Sequence, residues 1–221
     1  MRTAACRMSL SEPLPTEWLG RISFEDALAL QEAELAAVRA GTSPGRLFLL
    51  EHDPVFTIGR TRNQSSLLLR DRLPAPLHEI NRGGQATWHG PGQLVGYAIL
   101  DLHQHGGDLV RYLRFLEEVL IEALAHWNVV GTRRDGLTGV WVGERKIASI
   151  GVGVRHWVSM HGFGLNVSGP LDGFASIIPC GISGVEMTSV EREIGREVTV
   201  QEVARNVANV FRAMLPQLQT P

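Results

Sequence analysis

Cysteine is scarce in this 221-residue chain: Cys6 and Cys180 are the only two. Two cysteines are too few for a disulfide framework. Cys6 also sits in an N-terminal stretch expected to be loose, which leaves a bridge to Cys180 without support. No cysteine cluster of zinc type and no His-Glu-x-x-His pattern occurs, so no metal site is expected. The apolar runs are all well short of a membrane span. Met1 to Leu10 carries Arg2 and Arg7 without an acid but lacks the apolar core of a secretory signal. A mitochondrial transit segment has only that short basic start behind it, and a reducing cytoplasmic compartment is the default expectation. A dominant charge is missing too. The net charge of −2, with no lysine- or arginine-rich run, offers no field to gather nucleic acid or an anionic membrane. There is no Walker loop, no Gly-x-Gly-x-x-Gly after a strand and no Gly-x-Ser-x-Gly elbow. Internal repeats, low-complexity tracts and linkers are absent as well.

What remains is an ordinary globular composition, 44% hydrophobic and 20% charged. Ser23-Phe-Glu-Asp26 opens a helix with Ser23 as N-cap, and Gly41 suits its end. Arg46–Glu51 and Val55–Ile58 read as strands on either side of Asp53-Pro54, and His78–Ile80 as a short one. Arg60 to Pro76 reads as a surface connection with an apolar patch at Leu67 to Leu69. Leu94–Leu100 reads as a buried strand. Asp108 to Trp127 is the longest helix candidate, with Leu109, Leu113, Leu116, Leu120, Ile121 and Leu124 in one apolar stripe. Gly139–Val142 and Lys146–Ile150 form a hairpin across Gly143-Glu-Arg145, and Trp157–Val167 continues as a strand. Thr199 with Glu202 caps a last helix whose stripe is Val203, Val207, Phe211 and Met214. An α/β fold, a mixed sheet with helices packed on it in one continuous domain, is the economical architecture.

Arg82 to Gln93, Arg-Gly-Gly-Gln-Ala-Thr-Trp-His-Gly-Pro-Gly-Gln, is the chain's most unusual stretch. A loop this rich in glycine beside a core strand needs unusual backbone angles or close approach to something else. Its peptide N–H groups could cradle carbonyl, carboxylate or phosphate oxygens, although a plain glycine-rich turn into a strand is the alternative.

Cys180 lies in Ile177-Ile-Pro-Cys-Gly-Ile182. A cysteine among isoleucines is usually a small inert hydrophobe; Pro179 and Gly181 weaken that reading, because they set a tight backbone that a substrate could approach. As a nucleophile it would need a base or cation nearby to form the thiolate. Lys146 is a candidate partner, although a lysine at a hairpin end is more often simply solvated. It shares a strand face with Ala148 and Ile150, and the small Ala148 and Ser149, just before Gly151, leave room for a ligand above the strand. A lysine held partly away from water suits acid/base work. His89 and His161 each precede glycine and are further titratable candidates, though a lone histidine is more often structural.

The stretch Arg82–Gln93 resembles the signature of the octanoyl-[acyl-carrier-protein]–protein octanoyltransferases, the lipoyl(octanoyl) transferases or lipoate-protein ligase B family. Three further segments match in order: Glu51–Gly59, then Gly139–Val142 through Lys146–Gly151, and His161–Val167 followed by Ile178–Ile182. Thr188-Ser189 also falls where that family has such a pair. The resemblance implies a fold like the biotin and lipoate protein ligases, with a loose segment at 1–19 and a catalytic domain at 20–221. It implies a Cys180/Lys146 dyad. It implies acyl-chain binding by Arg82, Gly83, Gly84, Gln85, Ala86, Thr87, Trp88 and His89, by Ser149, Ile150 and Gly151, and by Gly162, Phe163 and Gly164. Gly164 departs from the alanine frequent there, which could alter the pocket wall.

The implied reaction moves octanoyl from octanoyl-acyl carrier protein, through a thioester on Cys180, to a lysine of an apo lipoyl domain. This is the first committed step of making protein-bound lipoate. The acceptors implied are the lipoyl domains of 2-oxoacid dehydrogenase complexes and the glycine cleavage H protein. Neither cofactor nor metal is implied, and a monomer without nucleic-acid or membrane partners is expected. Two alternatives stand beside it: an ATP-dependent lipoate or biotin ligase on the same fold, which needs no nucleophilic cysteine, and a non-catalytic module that binds acyl carrier protein or lipoyl domains.

Overall fold

Local chemistry sets the element ends. The computed structural model describes residues 13–60, 66–68, 72–178 and 184–219. Helix α1, Phe24–Ala40, begins where the Ser23 hydroxyl accepts from Asp26 N, and it ends on Gly41 at φ 73°. Helix α2, Leu109–Ala125, is capped by the Asp108 carboxylate, which accepts from Val110 N and Arg111 N. Helix α3 is the short Val190–Ile194, and α4 is Val200–Gln219. At the start of α4, Thr199 and Glu202 exchange hydrogen bonds as the capping-box pattern requires.

The described residues also form ten strands, β1 Thr16–Ile22, β2 Arg46–His52, β3 Val55–Ile58, β4 Leu77–Glu79, β5 Thr87–His89, β6 Gln93–Ile99, β7 Thr132–Arg134, β8 Leu137–Val142, β9 Arg145–Arg155 and β10 Val158–Asn166, and two 3-10 turns at Leu102–His105 and Asp172–Ser176. Seven of them form a sheet in the order β1-β2-β6-β10-β9-β8-β7, and β4-β3-β5 form a small one. β1 runs parallel to β2, while the other neighbours in the large sheet are antiparallel. The architecture is thus the expected mixed sheet with packed helices. Residues 16–19 lie within β1, across the boundary expected after residue 19; Thr16, Glu17 and Trp18 register with Leu47, Phe48 and Leu49.

Alternation sorts the strands onto two faces. Leu47 and Leu49 of β2 and Leu94 and Ala98 of β6 pack with α2 and α4. Phe48, Leu50, Val95, Tyr97 and Ile99 point the other way, under α1. On α2 the most deeply buried apolar residues are Tyr112, Leu116, Val119, Leu120, Ala123 and Leu124, whereas Leu109, Leu113 and Ile121 are only partly covered. A third cluster joins Phe56, Ile58, Ala86 and Trp88 of the small-sheet layer to Leu171, Phe174 and Ile177. Leu67, expected on a surface connection, is buried there and bridges to Ile177; Leu69 lies outside the described residues. Among the described residues no helix is long and apolar enough to cross a membrane.

The small layer lies close against the glycine-rich middle of β9. A Cβ on Gly153 would sit 2.3 Å from Asn81 O, and one on Gly151 would sit 3.1 Å from Arg82 Cδ. Gly83 N donates to Val152 O at 2.8 Å and ties the 82–85 loop to that strand. Any side chain at Gly153 would push the two layers apart.

Candidate active site

That close approach leaves a cavity between the layers. Its wall includes Arg82, Gly84, Thr87 and His89 from the glycine-rich loop and β5, Ser149, Ile150 and Gly151 from β9, and Gly162, Phe163 and Gly164 from β10. Three separated sequence segments therefore meet at one place. Of the other loop residues singled out in the sequence, Gly83 is used in docking to β9, and Gln85 is partly buried in the loop. Ala86 and Trp88 turn away into the third cluster, Trp88 packing edge-on to Phe174. Period-two alternation along β5 sends Thr87 and His89 one way and Trp88 the other.

Phe24, Ile80 and Tyr97 also line the cavity. In the sequence Phe24 opens a helix, Ile80 ends a short strand and Tyr97 sits in a buried one, with nothing to mark them as lining. His161 lines it too, in the left-handed region at φ 59°, with its N–H donating to Gln31 Oε1 at 2.8 Å. The two His-Gly corners do meet. Phe24 and Ile80 supply apolar side chains, whereas the Ile150 and Phe163 side chains belong to the core packed with α2 and α4.

The histidines around it are held neutral beside a charged arginine. Arg82, itself buried, donates to Thr57 O and Oγ1, both at 2.9 Å, and to Gly83 O at 2.8 Å. Burial, with added repulsion from His52, Arg82 and His161, depresses the His89 pKa to about 3. Burial and the nearby Arg82 and Arg155 depress His161 to about 4. His52, completely enclosed, is lowered by burial as well.

His89 begins a hydrogen-bonded chain. Its Nδ1 is 2.6 Å from Gln93 Oε1. Gln93 Nε2 donates to Asn166 Oδ1 at 2.9 Å, and Asn166 Nδ2 donates to Thr188 O at 3.0 Å. Because the Gln93 amide nitrogen faces acceptors, its oxygen faces His89, so His89 carries its proton on Nδ1 and keeps the Nε2 lone pair free of it.

Thr188 N in turn donates to Lys146 O at 3.0 Å, and Lys146 N donates to Glu186 O at 2.8 Å. The backbone of Lys146 is thus paired on both sides with the segment just downstream of Cys180. Cys180, like Cys6, lies outside the described residues. The Lys146 side chain is fully buried; its Nζ donates to Thr138 O at 3.1 Å and stands 5.3 Å over the Trp141 ring. Among the described residues no group of His, Cys, Asp and Glu side chains is placed to hold a metal ion.

The chain matches the family described as lipoyl protein ligase A/B catalytic domain over residues 23–212. It is similar to the octanoyltransferase of Geobacter metallireducens, 51% identical over 199 residues, which span 90% of this chain and 92% of the relative. Among solved structures it is similar to a lipoate-protein ligase A bound with ATP, with TM-score 0.77, 18% identity and coverage of 93% of this chain and 86% of that one. It is also similar to a biotin protein ligase from Aquifex aeolicus, with TM-score 0.57, 15% identity and coverage of 94% and 71%. At such identities the structural likeness speaks for the fold alone. The sequence likeness goes further, and on it the chain belongs to the octanoyltransferases of the lipoyl protein ligase A/B catalytic-domain family.

Proposed function

We propose that this chain carries octanoyl from octanoyl-acyl carrier protein to a lysine of apo lipoyl domains, through a thioester on Cys180. The observation that carries the reading is the placement of Lys146: a fully buried lysine whose backbone is paired with Glu186 and Thr188, just after Pro179-Cys180-Gly181. Burying a cation is costly unless it is well partnered, so a lysine kept there suits a chemical role.

In the first step the Cys180 thiolate attacks the thioester carbonyl. A new C–S bond forms, the donor's C–S bond breaks, and the departing thiolate takes a proton from Lys146. In the second, the acceptor amine attacks the acyl-enzyme. The C–N bond forms, Cys180 leaves as thiolate, and Lys146 recovers the proton that the amine gives up. N–H groups of the glycine-rich loops would stabilise the oxyanion in both steps. Thioester to thioester is nearly even in energy and thioester to amide is downhill, so ATP is not required. The cavity offers the octanoyl chain the apolar side chains of Phe24 and Ile80 and the side-chain-free backbone of Gly151, Gly162 and Gly164. The acceptors proposed are the lipoyl domains of 2-oxoacid dehydrogenase complexes and the glycine cleavage H protein.

The test is intact mass after mixing the protein with octanoyl-acyl carrier protein. One octanoyl group should be gained, removed by hydroxylamine and absent in Cys180→Ser. Acylation of a lipoyl domain only when free octanoate and ATP are supplied would overturn the transferase reading in favour of a ligase.

A further inference from the structure

Glu117 is a carboxylate in the middle of α2, fully buried on a face otherwise packed with apolar side chains. Burial of an acid there demands a full set of partners. Its Oε2 accepts from Arg114 Nη1 at 2.7 Å and from Arg133 Nε at 3.0 Å. Both arginines keep part of their side chains in water. The inner oxygen, Oε1, does something different: it accepts from Gly139 N at 3.0 Å.

That N–H belongs to the Thr138–Gly139 peptide, and the carbonyl of the same peptide, Thr138 O, accepts from Lys146 Nζ. A peptide is a rigid plane whose N–H and C=O point in opposite directions, so holding one end fixes the other. In β8 the paired positions are Leu137 with Arg134, and Val140, Trp141 and Val142 with β9. Thr138 and Gly139 fall between them, at a place where both polar ends of their peptide need other partners. Glu117 supplies one and Lys146 the other. The carboxylate draws on the N–H end and the ammonium on the C=O end, so the two charges polarise the peptide in the same sense.

Gly139 makes the arrangement possible. Its φ is 131°, and a Cβ there would sit 2.6 Å from Ala148 O and 2.8 Å from Lys146 Cε. The lysine stem crosses where that side chain would be.

We propose that Glu117 is a positioning residue, fixing through the Thr138–Gly139 peptide the carbonyl that holds the Lys146 amine. The proposal rests on the reading of Lys146 as the proton-handling member of the dyad. Glu117 does not line the cavity, so its removal should slow the chemical step and leave acyl-donor binding alone.

The experiment is a double-mutant cycle on octanoyl transfer with Glu117→Gln, Lys146→Met and the pair, each checked for folding by circular dichroism. Glu117→Gln should lower kcat about tenfold with the KM for octanoyl-acyl carrier protein held within about twofold, and it should have no further effect on the residual rate of Lys146→Met. Glu117→Asp is the second variant, for use if the glutamine does not fold. It keeps a charge for both arginines but is too short to hold the Gly139 N–H, and it should show the same split. A folded variant at wild-type kcat, or one equally damaging in the Lys146→Met background, would overturn the proposal. Lys146→Met at the wild-type rate would instead sink the reading of the lysine itself.

Discussion

The Tyr97 hydroxyl donates to His52 Nε2 at 2.8 Å, beside the cavity that Tyr97 helps to line. The direction follows from the other side of the ring. His52 Nδ1 lies 3.1 Å from Ile22 O, a carbonyl that can only accept, so Nδ1 carries the proton and Nε2 is the acceptor. Burial holds the Tyr97 phenol above its ordinary range and His52 below its own, so both are neutral at pH 7. Tyr97→Phe would keep the ring and strand His52 Nε2 without a donor. The expected cost is about 1–3 kcal/mol, read by urea unfolding. A variant as stable as the wild type would show that the bond contributes nothing.

Stability should fall on mild acidification. His89 and His161 have folded-state values of about 3 and about 4, below the 6.5 of an unperturbed histidine. The unfolded chain therefore binds protons first. Their contribution is intact above pH 6.5 and is lost as pH falls, toward 4 for His161 and toward 3 for His89. The slope is about 1.4 kcal/mol per pH unit for each group. Urea titrations between about pH 7 and pH 5 should show the decline, ahead of most carboxylate titration, and it should be shallower in His161→Gln. A flat wild-type profile over that range would contradict the burial of both rings.

The fold was legible where the chemistry is local. Ser23 with Asp26, Thr199 with Glu202 and the Gly143-Glu144 turn between β8 and β9 all act within a few residues of themselves. What escaped depends on distant partners. Nothing in the sequence marks Glu117, because the backbone N–H that explains its burial lies on β8. Tyr97 and Phe24 read as core, since only the docking of the small sheet opens a cavity beside them. The parallel pairing of β1 with β2 likewise has no local signal, which is why Thr16 to Leu19 passes for a tail. The family motifs located the cavity wall without showing how they meet; period-two alternation then separates Thr87 and His89 from Trp88.

Gly164 should not tolerate alanine quietly. The new methyl would sit 2.8 Å from Gln93 Oε1 and 3.1 Å from its Cδ. Gln93 cannot swing aside freely, being bonded to His89 and Asn166. Gly164→Ala is expected to cost about 1–3 kcal/mol by overpacking. It should also weaken the His89 Nδ1–H bond, seen as an upfield shift and faster exchange of that ring proton in NMR. An unchanged ring-proton resonance would show that the glutamine has room to retreat.

Lys146 separates stability from activity. Its ammonium is out of water, donating to Thr138 O with the Trp141 ring beneath it. Methionine has a similar length and no charge. Lys146→Met leaves Thr138 O short of a donor, a loss of about 1 kcal/mol, but it relieves the desolvation of a buried cation, several kcal/mol in the opposite sense. Its melting temperature should equal or exceed that of the wild type, while octanoyl transfer drops by about two to four orders of magnitude. Arginine should fail on both counts. Its planar head does not fit the space beside Gly139, and it does not exchange a proton near neutral pH. A lysine kept for packing alone would give the reverse order, with arginine tolerated better than methionine and little change in rate for either, so the ranking of the two variants decides what the residue is there to do.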